Sequence, residues 1–180
     1  MELKLGLQRR ILFTTISTLV LWSHILWDYF HDGIPVHYVL HNPDLPGIPN
    51  WLGAVIFPFL SLYLLNRIHK RIDKPEVINK EESFNKVLFR FLASVCVSVI
   101  IAICFMNGID VIDFIMGTLF ILAFIFPFYK SEYLLGWVLG SAFTFGATLP
   151  MVFGSILAGV FFVLYKLPRK AVYYFTLKRS

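Results

Sequence analysis

Apolar residues are gathered into five long runs, and the lengths of those runs carry the first prediction. Four of them extend from about Ile11 to Phe30, Trp51 to Asn66, Val87 to Met106 and Val111 to Tyr129. A helix needs roughly 20 mostly apolar residues to cross a hydrocarbon core of about 30 Å, so each run predicts one span. The runs are continuous, without the short alternating segments of a membrane β-barrel. The fifth run, Tyr133 to Tyr165, covers 33 residues and as one helix would reach about 50 Å, too long for a single crossing. Pro150, preceded by Gly146 and Thr148, offers a break. Two short helices, about 133–148 and 151–165, are therefore expected, with a broken or re-entrant pair as the alternative. The pattern predicts an all-α integral membrane protein: a compact bundle of six transmembrane helices in one domain, 1–180.

Composition agrees with that class. The chain is 58% hydrophobic and only 15% charged, against about a quarter charged in soluble domains. Charge then orients the bundle. All sixteen lysines and arginines fall in 1–10, 66–90, 130 and 166–180, while 31–50, 107–110 and the turn near Pro150 hold none. This is the positive-inside pattern, and it predicts a multi-pass protein of the plasma (inner) membrane with both termini cytoplasmic. An odd number of spans would break it. Trp22, Trp27 and Trp51 would then form an aromatic belt at the outer interface. Lys4, Arg9 and Arg10 before an apolar run resemble a signal peptide, but no small-x-small cleavage site follows, and an uncleaved first span is expected. The net charge of +5 does not point to nucleic acid, because the basic residues flank the spans in short clusters without a reading motif. Cys96 and Cys104, eight residues apart on one helix, would stand about 12 Å apart, beyond disulfide reach.

One stretch departs from its surroundings. Residues 23–51, SHILWDYFHDGIPVHYVLHNPDLPGIPNW, contain four of the five histidines, three aspartates and four prolines, yet no basic residue. Orientation explains the missing lysines but not the histidines. His24, Asp28 and His31 follow i, i+4, i+7 and share one helical face. His24 would lie about 9 Å inside the outer end of the span, where an ionisable group is costly unless paired or coordinated. His37 and His41, also four apart, and Asp44 follow in a 31–50 loop that Pro35, Pro43, Pro46 and Pro49 would keep ordered. Asp110 and Asp113 open the fourth span on the same side, as further ligands or as partners of its helix dipole.

His24, Asp28, His31, His37 and His41 are thus the candidate ligands of a divalent transition metal, zinc first among them. An open coordination position would yield a nucleophilic water, with Asp32 or Asp44 as general base. The plainer reading makes the histidines polar interface anchors, and His41 and Asp44 turn residues in HNPDLPG. The spacing matches no named zinc signature. His69, in NRIHKRIDK, reads as a solvated cytoplasmic residue.

Elsewhere the spans hold few ionisable groups, which argues against an ion-coupled carrier. Thr14, Thr15, Ser17, Thr18 and Ser23 either line a polar path or bond their own backbone. Gly136 with Gly140, and Ser155 with Gly159, are small-xxx-small pairs that favour close contact within the chain or in a homo-oligomer. The tail KLPRKAVYYFTLKRS is an interfacial anchor or a docking site for a cytoplasmic partner. Three functions follow. One is a metal-dependent hydrolase acting on a lipid-like substrate from the bilayer at the outer leaflet. Another is a small oligomeric channel or transporter with an acidic, His-rich vestibule. The last is a non-catalytic sensor or anchor subunit.

Overall fold

The computed structural model describes residues 5–31, 33, 36–38, 44, 47–74 and 77–177, and of residues 37, 38, 171, 172 and 174–177 the backbone alone. Six helices and one small hairpin make up these residues: α1 (Leu7–His31), β1 (Val36–Tyr38), β2 (Gly47–Pro49), α2 (Asn50–Ile72), α3 (Lys80–Met106), α4 (Ile112–Leu122), α5 (Ser131–Phe145) and α6 (Thr148–Leu177). The fold is all-helical apart from the antiparallel β1–β2 pair, in which Val36 opposes Pro49, His37 opposes Ile48 and Tyr38 opposes Gly47.

Four helices, α1, α2, α3 and α6, are long and apolar enough to cross a membrane. The other two are not. At 11 and 15 residues, α4 and α5 reach about 16 and 22 Å, short of a hydrocarbon core of about 30 Å. Large apolar side chains stand exposed on every helix of the bundle that describes its surface, among them Phe30, Phe59, Phe89, Phe114 and Phe143. An exposed apolar surface of that extent belongs against lipid rather than water, and it fits a membrane-embedded protein.

Helix ends follow local chemistry more than the limits of the apolar runs. The expected second span stops at Asn66, yet α2 continues to Ile72 because Ile68 and Ile72, four apart, remain buried. The third run opens at Val87, yet α3 begins at Lys80, where the Asn79 side chain accepts the Glu82 backbone N–H at 3.0 Å in a side-chain cap. The fourth run extends to Tyr129, but α4 gives way to turns before Pro127, where the pre-proline backbone disfavours helix. The break in the last run falls at Gly146, whose φ of 67° suits a residue without a Cβ. Pro150 sits instead in the first turn of α6, a position that tolerates proline.

Contacts at the two ends define the arrangement. At one end the start of α1 meets the end of α2 through Arg10 and Asn66, and the Leu5 N–H donates to Asp73 at 3.2 Å. Arg169 of α6 reaches the carbonyls of Phe124 and Ile125 beyond α4, at 2.9 and 3.3 Å, and stacks on Tyr165 at 3.6 Å. We call this the basic end. At the other, the hairpin end, His24 of α1 touches Phe143 of α5, and Phe105 of α3 touches Phe145. The main core lies between α1, α2 and α5 around Phe57, Leu64, Leu135 and Val138.

α3 and α5 form the most extensive helix pair, and small residues permit it. A Cβ on Gly136 would lie 2.5 Å from the Phe91 carbonyl oxygen, and one on Gly140 2.0 Å from Ser98 Oγ. The Gly136/Gly140 pair therefore packs within the chain. Ser155 and Gly159 face outward, with open space at Gly159.

Candidate functional site

The hairpin end carries part of the expected ligand set. His24 and Asp28 occupy successive turns of α1, and His24 Nδ1 stands 3.4 Å from Asp28 Oδ2. Both are half-buried, the imidazole edge-on to Phe143 at 4.9 Å between ring centres. Asp28 Oδ2 is enclosed and makes no hydrogen bond.

His31 shares the helix face by spacing but is drawn aside. Its ring stacks on Trp27 at 3.9 Å and its Nδ1 lies 2.9 Å from the Trp27 carbonyl oxygen, on the exposed side of the helix end. That leaves Nε2 as the nitrogen with a lone pair when Nδ1 donates. Asp44 is exposed, and Asp110 and Asp113 are exposed at the start of α4. His37 is fixed by its backbone in β1, and its side chain lies outside the described residues, as do Asp32 and His41 entirely. Among the described residues, no three His, Cys, Asp or Glu side chains converge as a metal-binding group.

Two hydroxyls of the α1 series bond their own helix: Ser17 donates to the Phe13 carbonyl and Ser23 to the Leu19 carbonyl, each at 2.8 Å, while Thr18 Oγ1 is buried without a hydrogen bond. Thr14 reaches a neighbouring helix. Its hydroxyl meets that of Ser61 at 3.0 Å and joins α1 to α2. Cys96 and Cys104 are free thiols.

A polar centre at the basic end escaped the sequence reading. Glu132, in the first turn of α5, is completely closed from solvent, yet it accepts from Arg71 Nη2 at 2.7 Å and Arg90 Nη1 at 3.2 Å. One carboxylate thus ties α2, α3 and α5 together, and it also complements the positive end of the α5 dipole. The signal was present in FYKSEYLLGW: an acid directly ahead of an apolar run, with arginines in the preceding basic segment. A fifth span beginning at Tyr133 puts Glu132 in a connection, whereas α5 begins at Ser131. His69 likewise does more than sit in solvent, for its Nδ1 lies 2.5 Å from Asp73 Oδ2.

Two apolar cavities lie one beyond the other along α5 and share Trp137 in their walls; together they are called the cleft. A cavity of about 560 Å³ lies at the hairpin end, walled by Ile101, Phe105, Met116, Phe145, Phe153 and Ile156. A second, of about 270 Å³, lies toward the basic end, walled by Val97, Leu119, Phe128, Tyr133, Leu157 and Phe161. Trp137 borders both. α4, which contributes to each wall, has no buried residue of its own. From Tyr133 to Phe145 the cleft follows α5 for about 18 Å, more than half of a hydrocarbon core.

No family model, curated protein or solved structure matches the chain. The residues and their geometry carry the functional reading.

Proposed function

We propose that the chain is a multi-pass integral membrane protein of the plasma membrane, basic end in the cytoplasm, that binds a long-chain, lipid-like molecule between α3, α4, α5 and α6. The observation that carries this is the cleft itself. Its larger cavity, about 560 Å³, falls within the roughly 300–1,000 Å³ of small-molecule sites. Its walls are almost wholly apolar, so a hydrocarbon chain suits it better than a charged or strongly hydrogen-bonding ligand. The loosely held α4 supplies a wall through which such a molecule would enter from the bilayer.

The test is to purify the full chain in mild detergent and identify retained lipid by mass spectrometry. A photoactivatable fatty-acyl lipid would then map the contact. Labelling concentrated on α3, α4, α5 and α6, and lost in Met116→Trp and Ala158→Trp variants that still melt cooperatively, is the expected result. Labelling spread evenly over all six helices would sink the reading.

A second reading, a metal at the hairpin end, is favoured by Asp28. Two ligands held about 2.1 Å from a tetrahedral ion stand about 3.4 Å apart, which is the separation of His24 Nδ1 and Asp28 Oδ2. A cation there would satisfy the otherwise unbonded carboxylate oxygen. With an open coordination position it would also generate the hydroxide needed to hydrolyse a lipid-like substrate at the outer leaflet. Elemental analysis of the purified chain decides it.

A further inference from the structure

Two arginines hold one carboxylate at the basic end, and a lysine stands near them. Arg71 and Arg90 both donate to Glu132, and Lys130, just before α5, lies close enough to feel the charge of all three. Three positive groups against one negative leave two in excess, and Lys166 adds a further cation beside Lys130. A purely structural ion pair has no use for such a surplus, because unbalanced charge in a half-buried place is expensive. Lys130 shows the cost. Burial first, then Arg90 and Arg71, push its pKa below the ordinary lysine range, and Glu132 offsets this only in part.

The surplus adjoins the apolar cleft. Tyr133 follows Glu132 directly, stands beside Arg90 and forms part of the wall of the 270 Å³ cavity. Charge and apolar space therefore meet within one turn of α5. A guanidinium has five N–H donors, so Arg71 and Arg90 retain donors beyond the one each gives Glu132, in the planar geometry that suits phosphate oxygens.

Resting on the lipid-binding reading above, we infer that Arg71, Arg90 and Lys130 hold the phosphate of an anionic lipid whose acyl chain lies in the cleft. A freely soluble phosphate would satisfy the cations but would make no use of the adjoining cavity. A zwitterionic lipid would bring its own ammonium into an already cationic place.

The experiment compares binding of phosphatidylglycerol and phosphatidylcholine with identical chains to the full protein in detergent, by native mass spectrometry. Each net positive charge near a headgroup is worth about fivefold, so the anionic lipid should bind about tenfold tighter or more. Lys130→Gln leaves both Glu132 pairs intact and should narrow that preference about fivefold, while Lys130→Arg restores it. Melting curves confirm that the variants fold. Equal binding of the two lipids removes the headgroup site and leaves the cleft reading standing. Binding of neither removes both. Inorganic phosphate that displaces the anionic lipid at equal concentration would assign the cations to a soluble anion and also overturns the inference.

Discussion

Glu132 of α5 and Arg71 of α2 meet at 2.7 Å with the carboxylate wholly shut from solvent, although 61 residues separate them in the chain. With Arg90 on the other oxygen, this contact fixes where three helices stand. Removing one member of a buried pair leaves uncompensated charge and costs about 3–5 kcal/mol. Glu132→Gln should therefore lower thermal stability sharply, measured by tryptophan fluorescence in detergent. Replacing all three groups, as Glu132→Leu with Arg71→Met and Arg90→Met, should cost less than Glu132→Gln alone, because neither arginine is left without its partner and the mutual repulsion of the arginines with Lys130 goes too. A triple variant less stable than the single one would show that the charges contribute net stability.

The small residues of α5 and α6 predict opposite outcomes for one chemical change. Gly140→Ala drives a methyl group into Ser98 Oγ and toward the Val95 carbonyl, and overpacking of this kind typically costs about 1–3 kcal/mol. Gly159→Ala meets open space and should be neutral or stabilising by up to about 1 kcal/mol from helix propensity. Melting temperatures of the two variants settle the contrast. Ser98→Ala in the Gly140→Ala background should recover part of the loss.

The long helices α1, α2 and α3 are legible because continuous apolar runs record the thickness of a bilayer, whereas α6, expected as a short helix over about 151–165, runs from Thr148 to Leu177. Helix ends are not legible, because charge marks where a membrane surface lies rather than where a backbone stops being helical. Arg67, Lys70 and Arg71 lie beyond the apolar run of α2, yet all are good helix formers, and Ile68 and Ile72 beside them are buried. Glu132 is hidden for the same reason, since an apolar run that begins at Tyr133 puts the acid outside the span. At the hairpin end the i, i+4 step joined His24 to Asp28 as expected. Spacing alone said nothing of the Trp27 ring, which competes for His31.

At the hairpin end, the chain purified without chelator should retain close to one equivalent of transition metal, and His24→Ala or Asp28→Asn should lose it. The prediction depends on the unbonded Asp28 oxygen, so Asp28→Asn is the sharper variant: it preserves shape and removes the charge. Elemental analysis finding no metal in folded wild-type protein would leave the pair as an ordinary interfacial ion pair.

Lys130 makes a prediction about pH. Its folded-state pKa lies below its unfolded value through burial and the neighbouring arginines, so between those two values the unfolded chain holds a proton that the folded chain has released. Stability then rises with pH across that window. Below it both states are protonated and the full penalty stands; above the ordinary lysine range both are neutral and it vanishes. Lys130→Gln should consequently raise the melting temperature at neutral pH. The gain over wild type should shrink as pH climbs through the alkaline window, followed by thermal melts at stepped pH in one detergent. A gain that stayed constant with pH would trace the effect to packing at position 130. Saturating anionic lipid should also diminish the gain at neutral pH, since a phosphate that neutralises the excess charge removes the penalty that the substitution relieves.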